Sequence, residues 1–321
     1  MKKILLTGGC GYVGSAICHL LKDTYEITVI DNLINGSKSL LPKEVKFIKS
    51  NIHDIKNLKK KLREKYELVI HCAAYVDARE SDKMPKKYLK NNYIDAKKFL
   101  NFCISIGIKK IILSSTCAVY AKTKLKVNEN SKIGPVSIYG KSKLKLENYL
   151  KNISVKKNIN YVILRYFNVA GADPELQYGI ISKTNKSLIK ICCKNFLKNK
   201  NIKIYGNNFL TPDGTTIRDY IHVKDLAIIH KKVLFQMNSY LKNSVINCGY
   251  GKGYSTFQIA DYFVKKSKNK IKVVFEKRKK SDLPKSVAQN KKILKLLNWK
   301  PKYNNINTIL THSLKWENKI K

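Results

Sequence analysis

Apolar residues in the first half of the chain follow two alternating rhythms. Short runs rich in Val, Ile and Leu at Lys3–Thr7, Glu26–Ile30, Val45–Ile48, Leu68–His71 and Lys109–Ser114 have the length and composition of buried strands. Between them, 12–22, 55–64 and 84–106 carry the apolar spacing of helices with one buried face. A further helix is predicted over 138–156 and a further strand at Tyr161–Tyr166. Apolar strands separated by helices predict a parallel sheet covered on both faces, so the fold class is α/β, a doubly wound parallel sheet. After Gly171 the alternation loosens. Helical patterns at 185–198, 224–239, 255–267 and 305–319 mix with short strands near 202–205, 244–247 and 271–275. The expected division is a first domain over 1–170 and a smaller mixed α/β domain over 171–321, with some late elements returning to the first sheet.

The first strand runs into Gly8, Gly11 and Gly14, spaced as Gly-x-x-Gly-x-x-Gly before a helix. Glycines there permit a tight bend and close approach of the backbone to a pyrophosphate, and the helix start supplies free N–H groups and positive potential. The next strand ends in Asp31-Asn32. A carboxylate at this distance suits the ribose hydroxyls of an adenosine and repels a 2′-phosphate, which favours NAD over NADP.

A second constellation is chemical. Tyr139 and Lys143 lie four residues apart near a helix start and so share a face. A nearby ammonium favours the phenolate, turning a poor base into a usable one. Upstream, the strand Lys109–Ser114 leads into Ser114-Ser115-Thr116, at the carboxyl end where α/β sheets place ligands. Thr116 is positioned to share a hydrogen bond with a hydroxyl that Tyr139 deprotonates. Each motif alone is common; their order along one chain is what carries weight.

Composition adds bounds. The formal charge is +42, from 64 Lys and Arg against 22 Asp and Glu. The arginines are Arg63, Arg79, Arg165, Arg218 and Arg278 only. Nucleic-acid readers favour arginine forks and stacking aromatics, so a solvated lysine surface is the expectation, with no nucleic-acid partner. A field of this sign still attracts an anionic substrate. Neither the eight cysteines nor the six histidines show metal-ligand spacing, so no metal and reduced, buried thiols are expected. No apolar run is long enough to span a membrane, and the N-terminal apolar stretch stops at Leu6, short of an export signal. A cytoplasmic protein is expected.

Thr7–Gly14, Asp31-Asn32-Leu33, Ser114–Tyr120, Tyr139–Lys143, Arg165–Asn168, Tyr205-Gly206-Asn207, Asp213–Val223 and Asp282-Leu283-Pro284 together resemble the extended short-chain dehydrogenase/reductase family. Asp213–Val223 resembles its sugar-nucleotide epimerase branch in particular. The resemblance implies NAD held by Gly8, Gly11, Tyr12, Val13 and Gly14 at the pyrophosphate. It implies Asp31, Asn32 and Asn35 at the adenosine ribose, Asn51 and Ile52 at adenine, and Asn92 and Tyr166 on the nicotinamide side with Tyr139 and Lys143. For a UDP-sugar it implies Asn168 and Arg218 at the phosphates, with Lys279 also among the substrate-binding residues. Tyr205 would then lie at uracil, Asp282 at the uridine ribose, Ser286 beside the C2 substituent, and Thr116 and Tyr139 at the reacting hydroxyl.

Val76, Asn51 and Lys279 depart from the family pattern, where lysine, aspartate and arginine are usual. The implied reaction is reversible epimerisation at C4 of a UDP-hexose, the UDP-glucose/UDP-galactose pair with the N-acetylhexosamine pair also admitted, in a homodimer paired through helices 84–106 and 138–156. UDP-pentose and UDP-N-acetylhexosamine epimerases remain alternatives. A 4,6-dehydratase is disfavoured because its Asp-Glu pair after the threonine is here Cys117-Ala118. A non-catalytic polyanion binder is disfavoured by the intact Thr116–Tyr139–Lys143 set.

Overall fold

The computed structural model describes residues 1–181, 187–278 and 282–321. Its centre is a seven-stranded parallel sheet. Six strands come in order from the first half: β1 (Lys2–Thr7), β2 (Tyr25–Asp31), β3 (Lys46–Lys49), β4 (Leu68–His71), β5 (Lys110–Thr116) and β6 (Asn160–Tyr166). The seventh is a late strand, Ser244–Cys248, that pairs with β6. Across the sheet the order is β3, β2, β1, β4, β5, β6, then Ser244–Cys248. The chain reverses direction of winding between β1 and β4, and a crevice opens there at the carboxyl ends of the strands.

The alternation of side chains explains the layers. Ile4 and Leu6 of β1 join one core cluster with Val29, Ile70, Ile112 and Leu164. Leu5 joins the other with Ile30, Val69, Ile111 and Ile163. The first cluster is covered by α1 (Tyr12–Leu21) and by the late helix Val223–Met237. The second is covered by α5 (Ala96–Ser105) and α6 (Ile138–Lys157), with α2 (Ile55–Lys61) at its edge.

The single helix predicted over 84–106 is broken. It divides into α4 (Pro85–Leu89), a π-helical turn Lys90–Asp95, and α5, and a short α3 (Ala78–Lys83) precedes it. Pro85 starts α4 at its first position, where its missing N–H costs nothing. The π-turn buries Asn92, whose side-chain amide bonds the Tyr75 backbone at 2.9 Å in both directions. Wide turns of this kind let a helix make such a local contact.

The apolar stripes of 84–106 and 138–156, expected to pair two copies, pack largely on the sheet, with Val155 of the second left exposed. Phe99, Leu100, Phe102, Leu146 and Leu150 are all in the core. The outer face carries Lys97 over the Tyr149 ring and Lys145 over the Tyr93 ring, with Ile94 46% exposed.

In the later half, helices at Leu188–Leu197, Thr256–Lys266 and Ile306–Lys319 match their predicted segments, and Lys291–Leu297 was not anticipated. Two-residue strands at Ile217–Arg218, Tyr254–Ser255 and Lys285–Ser286 form a small sheet. They are too short to leave a periodic signal. Among the described residues no helix is long and apolar enough to cross a membrane.

Three buried histidines make the fold acid-sensitive. Burial pushes His71 and His222 down to about 3 and His230 to about 4. Each is neutral in the folded chain and charged in the unfolded chain below its ordinary pKa near 6.5, so its contribution is present above that pH and falls as pH drops. The slope is about 1.4 kcal/mol per pH unit for each. Asp219, pushed up to about 6 by burial, acts in the opposite sense between its folded pKa and the unfolded value, offsetting one of the three. Urea titrations from pH 7 down to pH 4.5 are expected to show stability falling with a net uptake of about two protons on unfolding from these groups. A flat profile over that range would contradict the assignment.

Candidate active site

The turn between β1 and α1 leaves no room for side chains. Gly8 has φ +74°, and a Cβ on it would come 2.7 Å from the Ala73 nitrogen. A Cβ on Gly14 would come 2.2 Å from the Gly8 carbonyl oxygen. Gly11 stands at the N-cap of α1 with no side-chain capping bond. The first-turn N–H groups, at Tyr12 and Val13, are thereby left without side-chain acceptors, as an anion site requires.

Asp31 ends β2 beside this turn. Its carboxylate accepts hydrogen bonds from the Cys10 and Leu33 backbones at 3.0 and 2.8 Å. Burial raises its pKa while those bonds oppose the rise. It therefore shapes the glycine turn. The Asn32 amide donates to Asn51 at 2.8 Å, Ile52 is 7% exposed, and Asn35 lies exposed in the adjoining loop. These residues form one rim, and a dinucleotide fits the cradle they border. The Tyr12 side chain turns elsewhere, donating to the Gly171 carbonyl at 2.5 Å.

The three hydroxyls at the end of β5 have separate duties. Ser114 bonds Cys72 and Tyr166, at 3.0 and 2.6 Å. Tyr166 in turn meets His230 Nε2 at 2.8 Å. His230 Nδ1 faces the Leu226 carbonyl, so Nδ1 donates and Nε2 accepts from the tyrosine. Ser115 donates to buried Glu147 at 2.5 Å. Thr116 accepts from the Ala118 backbone at 3.1 Å and is hydrogen-bonded to the Tyr139 side chain.

Tyr139 and Lys143 reach this point from the first turns of α6. Ser137 caps that helix through the Gly140 N–H at 3.1 Å. α3 completes the cap: Ser81 accepts from the Tyr139 N–H at 2.9 Å and Asp82 from the Ile138 N–H at 3.0 Å. A Cβ on Gly140 would lie 2.4 Å from the Ala118 carbonyl oxygen, so glycine lets α6 press onto the end of β5. Asn92 bridges the same region, donating to Ser142 at 3.3 Å.

The electrostatics differ from the expectation of a phenol held down by Lys143. Burial pushes Tyr139 up to about 12, the Thr116 hydrogen bond opposes this, and Lys143 is not among the groups that move it. Burial pushes Lys143 itself down to about 8, against the pull of Cys72 and Glu147. Among protein groups alone, desolvation is the largest influence on both because both lie in the interior.

The opposite wall comes from the later half. The strand Asn168–Ala170 pairs with Tyr220–His222, which sets Asn168 close to Arg218. Arg218 pairs in register with Ser286, and the Ser286 hydroxyl is 3.5 Å from the Cys117 sulfur. Thr116, Ser286 and Arg218 therefore share one cleft. Tyr205 ends the strand Ile202–Tyr205, and Asp282 lies across from α3. Lys279 lies outside the described residues.

Two contributions escaped the sequence reading. Ser81 and Asp82 cap α6 from a helix that no period announced. Asp219, fully buried, accepts from the Tyr250, Gly251 and Ala288 backbones at 3.0, 2.8 and 3.2 Å and gathers two loops of the cleft. A buried carboxylate beside Arg218 in the Asp213–Val223 motif was its only signal.

The model of the NAD dependent epimerase/dehydratase family matches residues 4–249, and the chain belongs to that family. Its cofactor is NAD, and it is an NAD-dependent epimerase. It is 34% identical to a UDP-glucose 4-epimerase of Azospirillum brasilense over 99% of this chain and 92% of the relative. The crystal structure of UDP-glucose 4-epimerase from Brucella ovis in complex with NAD superposes with a TM-score of 0.92 at 30% identity, covering 98% of each chain. A UDP-Glc/GlcNAc 4-epimerase from Campylobacter jejuni gives 0.85 at 34% identity, covering 99% of this chain and 100% of that one.

NAD is expected to be released when the purified protein is denatured. In Gly14→Ala the added Cβ meets the Gly8 carbonyl oxygen, and chromatography of the denatured supernatant is expected to find less than about a tenth of the wild-type dinucleotide. Equal release would show that the glycine turn does not hold the cofactor.

Proposed function

We propose that this protein interconverts UDP-sugars at C4 through a transient 4-keto sugar. The observation that carries the reading is the contact between the Tyr139 phenol and Thr116 at the carboxyl end of β5. A sugar hydroxyl set between them has a proton acceptor on one side and a hydroxyl to orient it on the other. NAD, when bound, supplies a reversible hydride acceptor and a positive ring that favours the phenolate. Tyr139 takes the O4 proton as C4 becomes planar, and returns it when the sugar has presented its other face. Lys143 holds positive charge beneath the reacting groups. Arg218, Asn168 and Asp282 hold the nucleotide while the sugar turns. Cys117 and Ala118, a thiol and a methyl, offer no acid–base pair for eliminating water, which favours epimerisation over dehydration.

Sugar width is set at Ser286. Its hydroxyl stands against Cys117, the residue after Thr116, and so borders the sugar. A small residue there leaves space for an acetamide at C2. The proposed substrates are UDP-glucose and UDP-galactose together with the corresponding N-acetylhexosamine pair, an activity range named for the similar Campylobacter jejuni enzyme.

Incubation with a panel of UDP-sugars, read for 4-epimers, tests the reading. Tyr139→Phe is expected to slow turnover by about 10²–10⁴-fold while leaving UDP binding in place; retention of more than about a tenth of the rate would assign the base elsewhere.

Ser286→Tyr is expected to suppress the N-acetyl pair selectively, since overpacking a tight site costs about 1–3 kcal/mol. Wild-type protein that epimerises UDP-galactose and ignores UDP-GalNAc would remove Ser286 as the gate.

A further inference from the structure

We propose that Arg79, reaching across the cleft from α3, binds the diphosphate of the substrate and closes on it opposite Arg218. The proposal rests on the nucleotide-sugar reading above and assigns a residue that the sequence motifs do not reach.

Arginine is scarce in this chain. Of 64 cationic side chains only five are arginine, so the positions that keep the planar fork can be accounted for singly. Arg63 bonds the Lys60 carbonyl on the surface. Arg165 is buried against Glu147. Arg278, at a position where the resembling family usually has a double arginine, lies with its guanidinium 4.1 Å over the Phe209 ring. Arg218 and Arg79 remain, and both face the cleft.

Neither guanidinium is saturated. Among the described residues Arg218 makes one hydrogen bond, to the Ile217 carbonyl at 2.9 Å. Arg79 stands 3.7 Å from the Asp282 carboxylate and 5.8 Å above the Tyr205 ring. The first distance is an ion pair without a hydrogen bond, and the second is a loose cation–π contact. Five N–H donors per guanidinium are thus largely uncommitted. The two cations repel each other. Among the described residues, Asp282 is the carboxylate that acts on Arg218, and the hydrogen-bonding positions of Asp219 are taken by three backbone N–H groups. Positive charge left over between two walls of a cleft is matched by a group with several anionic oxygens, and arginine forks bind such groups in bidentate fashion.

Position makes the clamp useful. Arg79 is rooted in the first turn of α3, whose Asp77 cap accepts its backbone N–H at 2.8 Å. The same helix caps α6 beside Tyr139. Arg218 belongs to the opposite wall. A diphosphate held by both joins the catalytic side of the cleft to the nucleotide side.

The test is calorimetric titration of NAD-loaded wild type, Arg79→Ala and Arg79→Lys with UDP and with uridine. UDP affinity is expected to fall about ten- to a hundredfold in Arg79→Ala and by an intermediate factor in Arg79→Lys, which keeps the charge and loses the fork. Uridine affinity is expected to stay within about twofold of wild type, and KM for UDP-sugar to rise in step with the loss for UDP. Equal UDP affinity in wild type and Arg79→Ala would overturn the proposal. An equal loss for uridine and UDP would also overturn it, since Arg79 would then act only by holding Asp282 and Tyr205. Wild-type protein that binds no UDP would remove the nucleotide-sugar reading and the clamp with it. Retained NAD content in both variants shows that the fold is intact.

Discussion

The ion pair between Arg165 and Glu147 is the contact on which the active site depends. Both side chains are almost wholly buried, with Nη2 of the arginine 2.6 Å from Oε2 of the glutamate. The remaining valences are filled: Arg165 Nε donates to Glu147 Oε1 at 3.1 Å, Arg165 Nη1 to the Tyr120 hydroxyl at 3.0 Å, and Ser115 to Glu147 at 2.5 Å. Charges removed from water are tolerated only when satisfied in this way, and breaking such a pair costs about 3–5 kcal/mol. Glu147 lies one helical turn beyond Lys143, Ser115 precedes Thr116, and Arg165 precedes Tyr166. The pair therefore fixes α6 against β5 and β6, and Lys143, Thr116 and Tyr166 take their places from it.

A second constraint acts on the other wall. Asp219 collects three backbone N–H groups from the loops around Tyr250 and Ala288, and the Tyr120 hydroxyl reaches Asn247 at 2.6 Å. The strand Ser244–Cys248, although late in the chain, extends the first sheet through β6. The later half is thus anchored to the same sheet edge that carries Thr116. Across the cleft, Arg79 and Asp282 meet through an ion pair of 3.7 Å.

The high positive charge is arranged with the same economy. Lysine covers the exposed helical faces, its aliphatic stem lying on apolar surface and its charge in water. The exceptions include Lys143 at 3% and Lys190 at 4% exposure. Apart from Arg63 on the surface, arginine stands in the buried pair, a ring contact and the cleft. A surface of this sign attracts anions generally.

What the sequence determined by itself was whatever depends on local pattern. The buried strands Leu68–His71 and Tyr161–Tyr166, the glycine turn before α1, and the Tyr139–Lys143 pair on one helix face were all legible, because periodicity and steric need are written into neighbouring residues. Their chemical meaning came through motif order and resemblance. Tertiary structure alone decided the break in 84–106, where Asn92 trades helical regularity for a bond to Tyr75. It decided that Ser81 and Asp82 cap α6, that Ser286 meets Cys117, and that burial rather than Lys143 governs the Tyr139 proton. These facts join residues tens or hundreds of positions apart, or depend on how much water packing excludes. No local pattern encodes either, so they exist only once the sheet has closed and the two walls of the cleft face each other.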